Sequence, residues 1–376
     1  MTIMVFILFV IILAGWFSVT DLPVVLAPAG TCHTVARRFR VPGIMLSLFI
    51  GLCLSRLNDT QMALQNPSTV IAAAALAVIA VRIFIKDASI VFAFAGALAG
   101  TRMLQSGSAA VRWTVPLSWI AAVIFTILVA IVLCKVISSV SSRSEGHLLT
   151  KMNRMGMAIT VAASLMLLAV GLNVGGLVPS VSTMEFQLLV FAAVVLVAGV
   201  LVKGEAGANS HRLMERWFDV NAEATLAMTL SVAIVLTVFS FNLRVGNIHL
   251  QAVPLAPGLL MLAGLTGCGL AQGKEVNWSS LAAKFGTDAL LTPLLAMILA
   301  CLISGVMHPN LFSLANAQVG LLVMLLALVT TGLLIMSVLY LRDSRSSGRT
   351  LREMDDELNE NRRAINEMEI KTMQAE

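Results

Sequence analysis

The chain has 376 residues, of which 58% are hydrophobic and 12% are charged, with a mean hydropathy of +0.92 and a formal net charge of +5. This composition excludes a soluble domain and is typical of a polytopic membrane protein embedded in the lipid bilayer. The basic residues lie mostly in loops, which predicts retention of those loops on the cytoplasmic side and no nucleic-acid binding. The cysteines and histidines are scattered without ligand spacing, so we expect no metal site and no cofactor.

Apolar runs follow one another along the chain and predict an all-α integral membrane protein with about eleven segments, since most runs approach the roughly 20 residues that a bilayer requires. The first run has no basic flank and no cleavage site, so we interpret it as a retained span and not a signal peptide. Short runs such as 42–56 and 87–101 are also compatible with half-length or re-entrant helices. The runs are residues 3–20, 42–56, 68–85, 87–101, 115–134, 155–173, 184–202, 223–242, 253–272, 285–307 and 317–341.

The distribution of Lys and Arg between loops predicts the orientation in the cell membrane. Odd-numbered loops carry most of the basic residues, and even-numbered loops carry fewer. Because basic loops are retained in the cytoplasm, we expect an external N-terminus and a cytoplasmic C-terminus.

Asp21 closes the first apolar run, where water is scarce. An ionised acid in hydrocarbon is costly, and Pro23 and Pro28 prevent a regular helix from satisfying every backbone group. One interpretation is a broken helix beside a cavity, which is how transporters build binding sites. The other is an interfacial residue that caps the next helix.

An internal repeat organises the chain. The repeated unit consists of a small-residue segment, the motif V-x-W and a long apolar span, in that order. The small-residue segments are residues 96–100 and 264–273, and the V-x-W motifs are residues 111–113 and 276–278. If segments 1–5 and 6–10 are the two copies, their odd number of crossings inverts the second copy, as in many secondary transporters. Glycines in such segments also allow close helix packing, which is the simpler explanation for any one of them. The repeat predicts five parts: a first repeat over 1–134, a cytoplasmic loop over 135–154, a second repeat over 155–308, an additional membrane helix over 317–341 and a charged cytoplasmic tail over 342–376.

These features resemble the inorganic phosphate transporter (PiT) family, whose members have two inverted repeats, each with a GxND-type signature and a later hydroxyl-rich segment followed by V-x-W. Residues 20–28 share the acid, Asp21, and the proline seven positions later. Residues 171–176 share the glycine and the asparagine, Asn173, of the second signature. The resemblance covers most of residues 1–308 and implies cation-coupled phosphate transport.

Several signature positions differ from the family pattern. Thr20 and Val24 stand where the first signature has asparagines, Val174 replaces the acid of the second, and only Ser89 remains of the later hydroxyl positions. In the family, oxygen ligands of this kind are expected to hold phosphate and sodium. The resemblance therefore implies that the ligands here are Asp21, Thr20, Asn173 and Ser89.

We predict a secondary transporter of an inorganic anion, phosphate above all, coupled to Na⁺ or H⁺. Asp21 and Asn173 would face a midplane cavity, Thr20 and Ser89 would supply hydroxyl ligands, and rocking of the repeats would alternate access. The alternative is a transport-inactive relative that acts as a membrane scaffold. We predict no enzyme, because neither HExxH nor GxSxG is present.

Two further polar residues have alternative interpretations. Asn173 lies deep in an apolar run, where its amide suits either a ligand or an interhelical hydrogen bond. Asp288 is a candidate second coupling carboxylate, but it lies close to Lys284 at the start of the run 285–307, where an acid also suits a helix N-terminus. We favour the second interpretation for Asp288.

The last 35 or so residues change character abruptly. Leu351, Met354 and Leu358 begin an apolar stripe of three-to-four spacing among many charges, as in a short coiled coil. This pattern predicts a helix for self-association or for a cytoplasmic partner, and a solvated, partly helical tail is the alternative.

Overall fold

The structure of the protein is a computed structural model, which describes most of the chain up to residue 307. Thr20, the predicted segments 184–202 and 317–341, and the tail 342–376 lie outside the described residues. The described residues are 11, 14, 15, 17, 21, 22 and 25, then 37–55, 67–85, 88–106, 114–143, 148–175, 221–241, 243–245, 248–250, 253–274, 276 and 278–307.

Helices form nearly all of the regular structure in this part of the chain, which confirms the predicted helical class. One antiparallel hairpin, β1 (Leu243–Val245) with β2 (Ile248–Leu250), interrupts them between two predicted segments. The helices are α1 (Arg37–Leu54), α2 (Pro67–Ile85), α3 (Ile90–Ser106), α4 (Thr114–Arg143), α5 (Leu148–Gly175), α6 (Ala222–Ser240), α7 (Pro257–Ala271), α8 (Trp278–Phe285) and α9 (Thr292–Met307).

Four stretches among the described residues are long and apolar enough to cross a membrane. They are Val115–Arg143, Thr150–Gly175, Ala222–Ser240 and Trp278–Ser304, the last of which joins α8 to α9. Shorter apolar helices lie in α2, α3 and α7. The outer face of α4 carries large exposed apolar side chains, which suits contact with lipid: Leu117, Ile124, Leu128 and Val132.

Three helix ends lie well away from the ends of the apolar runs. Helices α4 and α5 extend to Arg143 and back to Leu148, into the segment 135–154 that we predicted as a loop. The last span begins at Trp278, before the predicted 285, because the short helix α8 carries polar residues that end the apolar run but not the helix. On which side of the membrane these ends lie stays a prediction.

Glycines set the distance between helices from different halves of the chain. A methyl group on Gly96 of α3 would overlap the backbone of Pro293 in α9, and one on Gly100 would overlap Met297. The residue numbers rise together along both helices, so α3 and α9 run in the same direction. Such close approach of small residues is a main source of helix association in membranes.

Helices α1 and α5 pack in the same way. Gly51 of α1 contacts the backbone of Leu168, and Gly175 of α5 contacts Ser55, so these helices also run in the same direction. In α7, Gly267 lies against the carbonyl of Ile127 in α4.

The packing is reciprocal between the two halves. Helix α3 packs against α9, and α7 packs against α4. Likewise α2 contacts both α3 and α9, whereas α6 contacts both α7 and α4. The fourth segment of each predicted repeat thus packs against the fifth segment of the other repeat.

Candidate functional site

Asp21 is buried, with 3% of its surface exposed. Its N–H donates to the Phe17 carbonyl at 3.0 Å, and its own carbonyl accepts from the Val25 N–H at 3.2 Å. Both are i to i+4 bonds of the helical kind, but Asp21 itself lies in a turn between the helical residues Phe17 and Leu22. The donors of these two bonds are the N–H groups of Asp21 and Val25. Pro23, which lies outside the described residues, lacks its own N–H, and neither bond uses that group.

The Asp21 side chain meets a residue 68 positions away. The Ser89 hydroxyl, also 3% exposed, donates to Asp21 Oδ1 at 3.1 Å. Ser89 directly precedes α3, and its Oγ accepts from the N–H of Val91 at 3.3 Å. Ser89 therefore caps α3 and binds the carboxylate at the same time, which brings two of the predicted site residues together.

The contact between Asp21 and Ser89 lies at the start of α3. The N-terminus of a helix carries exposed N–H groups and a partial positive charge, which stabilise an anion nearby. The carboxylate needs such compensation because burial removes it from water. An ionised carboxylate with one oxygen bound to a hydroxyl is suited to attract a small hard cation.

Asn173, the third predicted site residue, lies buried near the end of α5. Its Nδ2 donates to Ser240 Oγ at 3.2 Å and to the Val253 carbonyl at 3.0 Å. Its Oδ1 accepts from the Leu255 N–H at 2.8 Å. The amide thus fixes the non-helical segment 253–256 that leads into α7, and its role as a ligand stays a prediction.

The two polar contacts occupy corresponding places in the two halves. In each case a polar side chain from the first segment of a predicted repeat, Asp21 or Asn173, binds the residues just before a short glycine-containing helix, α3 or α7. The chemistry differs, because the first half contributes a carboxylate and the second a neutral amide. Val174, the residue after Asn173, is buried and also carries no charge.

Trp119 of α4 connects these two regions. Its Nε1–H donates to the Pro254 carbonyl at 3.0 Å, inside the segment that Asn173 holds. Its ring also packs edge-on against Phe92, three positions after Ser89, with centroids 4.6 Å apart. Sequence reasoning missed Trp119, although a tryptophan inside an apolar span needs a partner for its N–H.

We predict that Asn173→Leu weakens the fold without abolishing it. The Leu255 N–H and the Val253 carbonyl would lose their partner, which costs about 1–2 kcal/mol of unfolding free energy. The measurement is unfolding of the purified protein in mixed micelles. Thr229→Val is the control, because this buried hydroxyl donates only within its own helix, to the Thr225 carbonyl. Equal stability of the two variants would contradict the structural role of Asn173.

Several apolar spans, packed around buried glycines and polar contacts, define a multi-pass membrane protein. Among solved structures, the chain is similar to one described as the sodium-dependent phosphate transporter, with a TM-score of 0.56 and 14% sequence identity. The similarity covers 82% of this chain and 99% of that chain. No family model matches the sequence, and no curated protein does. At this identity, the likeness shows that the two proteins share a fold.

Proposed function

We propose that this protein is a secondary transporter of an inorganic anion, phosphate above all, coupled to Na⁺ or H⁺. The observation that carries the proposal is the buried contact between the Asp21 carboxylate and the Ser89 hydroxyl at the start of α3. The sequence resemblance implies ligands at both positions. The shared fold with a sodium-dependent phosphate transporter supports the same class of function.

We also propose that the two halves form inverted repeats. Among the described helices, three pairs that join the two halves run in the same direction, namely α1 with α5, α3 with α9, and α4 with α7. Numbered by the predicted segments, these are pairs 2 and 6, 4 and 10, and 5 and 9, so each pair has the same parity. If successive segments cross the membrane in opposite directions, two segments run the same way only when both numbers are odd or both are even. Because five is an odd number of crossings, the second repeat then has the opposite orientation to the first.

In this mechanism Asp21 supplies the charge that attracts the coupling cation, and Ser89 orients the carboxylate. The N–H groups at the start of α3 favour an anion nearby, so a cation and an oxyanion are able to occupy the region together. Binding of the cation offsets the charge that the anion brings, which makes joint occupancy more favourable than either alone. Rocking of the repeats would expose the region to each side in turn.

We expect the protein, reconstituted into liposomes, to accumulate radiolabelled phosphate when an inward Na⁺ or H⁺ gradient is imposed. Uptake should fall to the level of protein-free liposomes when the gradient is collapsed by an ionophore, because coupled transport takes its energy from the cation. Uptake that is independent of both gradients would contradict coupling. Failure to take up either phosphate or sulfate under any gradient would contradict the transporter.

The scaffold is the second candidate, and the neutral Asn173 and Val174 in the second half favour it. A transporter that has lost one of two acids resembles a protein that keeps a fold after losing its activity. A scaffold of this kind would bind a partner, or a second copy of itself, through residues 342–376. It would fail the uptake experiment while remaining folded and inserted.

A further inference from the structure

Asp288 lies inside a continuous helical span and not at its start. Helices α8 and α9 are joined by a π-helical turn, Gly286–Leu291, in which the N–H of Thr292 donates to the carbonyl of Thr287. The Asp288 side chain is 1% exposed and lies 3.2 Å from Nζ of Lys284, which is 20% exposed. A π turn adds a residue to the helix and redirects nearby side chains, and such turns are frequent at functional sites.

The depth of this ion pair along the span is considerable. Asp288 follows Trp278, an exposed residue at the start of α8, by ten positions, which corresponds to about 15 Å of helix. Tryptophan favours the membrane interface, and the hydrocarbon layer is roughly 30 Å thick. Asp288 therefore lies near the middle of the span, where an ionisable side chain is costly and by default indicates a functional site.

Asp288 also lies level with the Asp21–Ser89 contact. Helices α3 and α9 run in the same direction, with Gly96 beside Pro293. Asp288 precedes Pro293 by five positions, and Val91 precedes Gly96 by five, so Asp288 and the start of α3 are at about the same depth. Two carboxylates from opposite halves of the chain thus occupy one layer of the structure.

The described parts of the helices that pack around Asp288 carry two further basic residues. Helices α2 and α3 pack against α9, and their charged residues in the described part of the chain are Arg82 and Arg102. Arg102 lies beyond Gly100, on the side of Pro293 away from Asp288. Helix α7, which packs against α8, carries no Asp, Glu, Lys or Arg. Arg82 lies in the last turn of α2, close in sequence to the start of α3. The ion pair that the structure shows at Asp288 is the one with Lys284.

We propose that Asp288 is a second cation-binding carboxylate, at which the ammonium group of Lys284 and a coupling cation, Na⁺ or H⁺, compete. The inference rests on the proposed transport function and supplies an acid in the second half, where Val174 has none. Lys284 is partly exposed, and its long flexible side chain is able to extend toward the membrane interface when the cation arrives. A static ion pair would instead serve only to stabilise the helix at the π turn between α8 and α9.

The effect of Lys284→Met on stabilisation by Na⁺ distinguishes the competing ion pair from the static one. Lys284→Met removes the competitor, so Na⁺ should stabilise this variant at a concentration about tenfold lower than the wild type requires. Asp288→Asn should abolish that component of the Na⁺ response. The measurement is the melting temperature of the purified protein against Na⁺ concentration, with choline keeping the ionic strength constant and no phosphate present. Lys274→Met, which removes an exposed lysine of the preceding turn, should match the wild type.

The double variant Asp288→Asn with Lys284→Met guards against misfolding, because it removes both charges of the ion pair. The melting temperature of Lys284→Met could instead depend on pH and not on Na⁺. If the double variant lacks that dependence, the cation is the proton. The proposal is overturned if Lys284→Met only lowers the melting temperature, equally at every Na⁺ concentration and pH. Cation binding at Asp288 without phosphate uptake would support this site while contradicting anion transport.

Discussion

Asp21→Asn should reduce coupled phosphate uptake by about 100-fold, because loss of the charge that attracts the cation weakens cation binding by about 3 kcal/mol and each 1.4 kcal/mol is about tenfold. The amide keeps the shape of the side chain, and its oxygen still accepts from the Ser89 hydroxyl. It no longer carries the charge that attracts Na⁺ or H⁺. The measurement is initial uptake by wild type and variant at equal reconstituted protein, with size-exclusion profiles to show that folding is retained.

A pair of serine variants provides the control for this result. Ser89→Ala removes the hydroxyl that binds Asp21, whereas Ser231→Ala removes an equally buried hydroxyl that donates only to the Met228 carbonyl. Uptake should fall in the first variant and stay unchanged in the second. Full uptake by Asp21→Asn would instead assign Asp21 to capping, since asparagine is nearly as good a cap as aspartate.

The helices were largely predictable from the sequence, because a bilayer leaves few alternatives for a long apolar run. The runs 68–85 and 223–242 correspond closely to α2 and α6. The ends were less predictable, since a helix continues past the point where its side chains become polar. The span from Trp278 shows this, because Lys284 ends the apolar run while the backbone stays helical.

The candidate site was predictable only in part. Burial of Asp21, Ser89 and Asn173 follows from their places in apolar runs, but the contact between Asp21 and Ser89 depends on how separate helices pack. Our interpretation of Asp288 as an acid at a helix N-terminus rested on a predicted start at 285, which the structure places at Trp278. The π turn around Asp288 has no simple sequence signal, because it depends on one extra residue within a hydrogen-bonding pattern.

The positions of the glycines predict which helix faces pack closely. Gly96 and Gly100 fit the spacing of a small-residue packing motif, and the structure places both against α9. Gly267 fills the corresponding position in α7, against α4. The simpler explanation of these glycines, close packing, is therefore correct at these positions, and it is compatible with the repeat because the packing is reciprocal.

Gly96→Ala should lower the free energy of unfolding by about 3 kcal/mol, because its single methyl group would overlap the backbone of Pro293 and force α3 away from α9. Gly286→Ala is the matched control, since a methyl group there meets open space and alanine favours the helix. Gly267→Ala should resemble Gly96→Ala, because it meets the Ile127 carbonyl at the reciprocal contact. Unfolding in mixed micelles measures all three variants. If Gly96→Ala proved as stable as Gly286→Ala, the close packing of α3 on α9 would be wrong, and the shared depth of Asp288 and Ser89 would lose its basis.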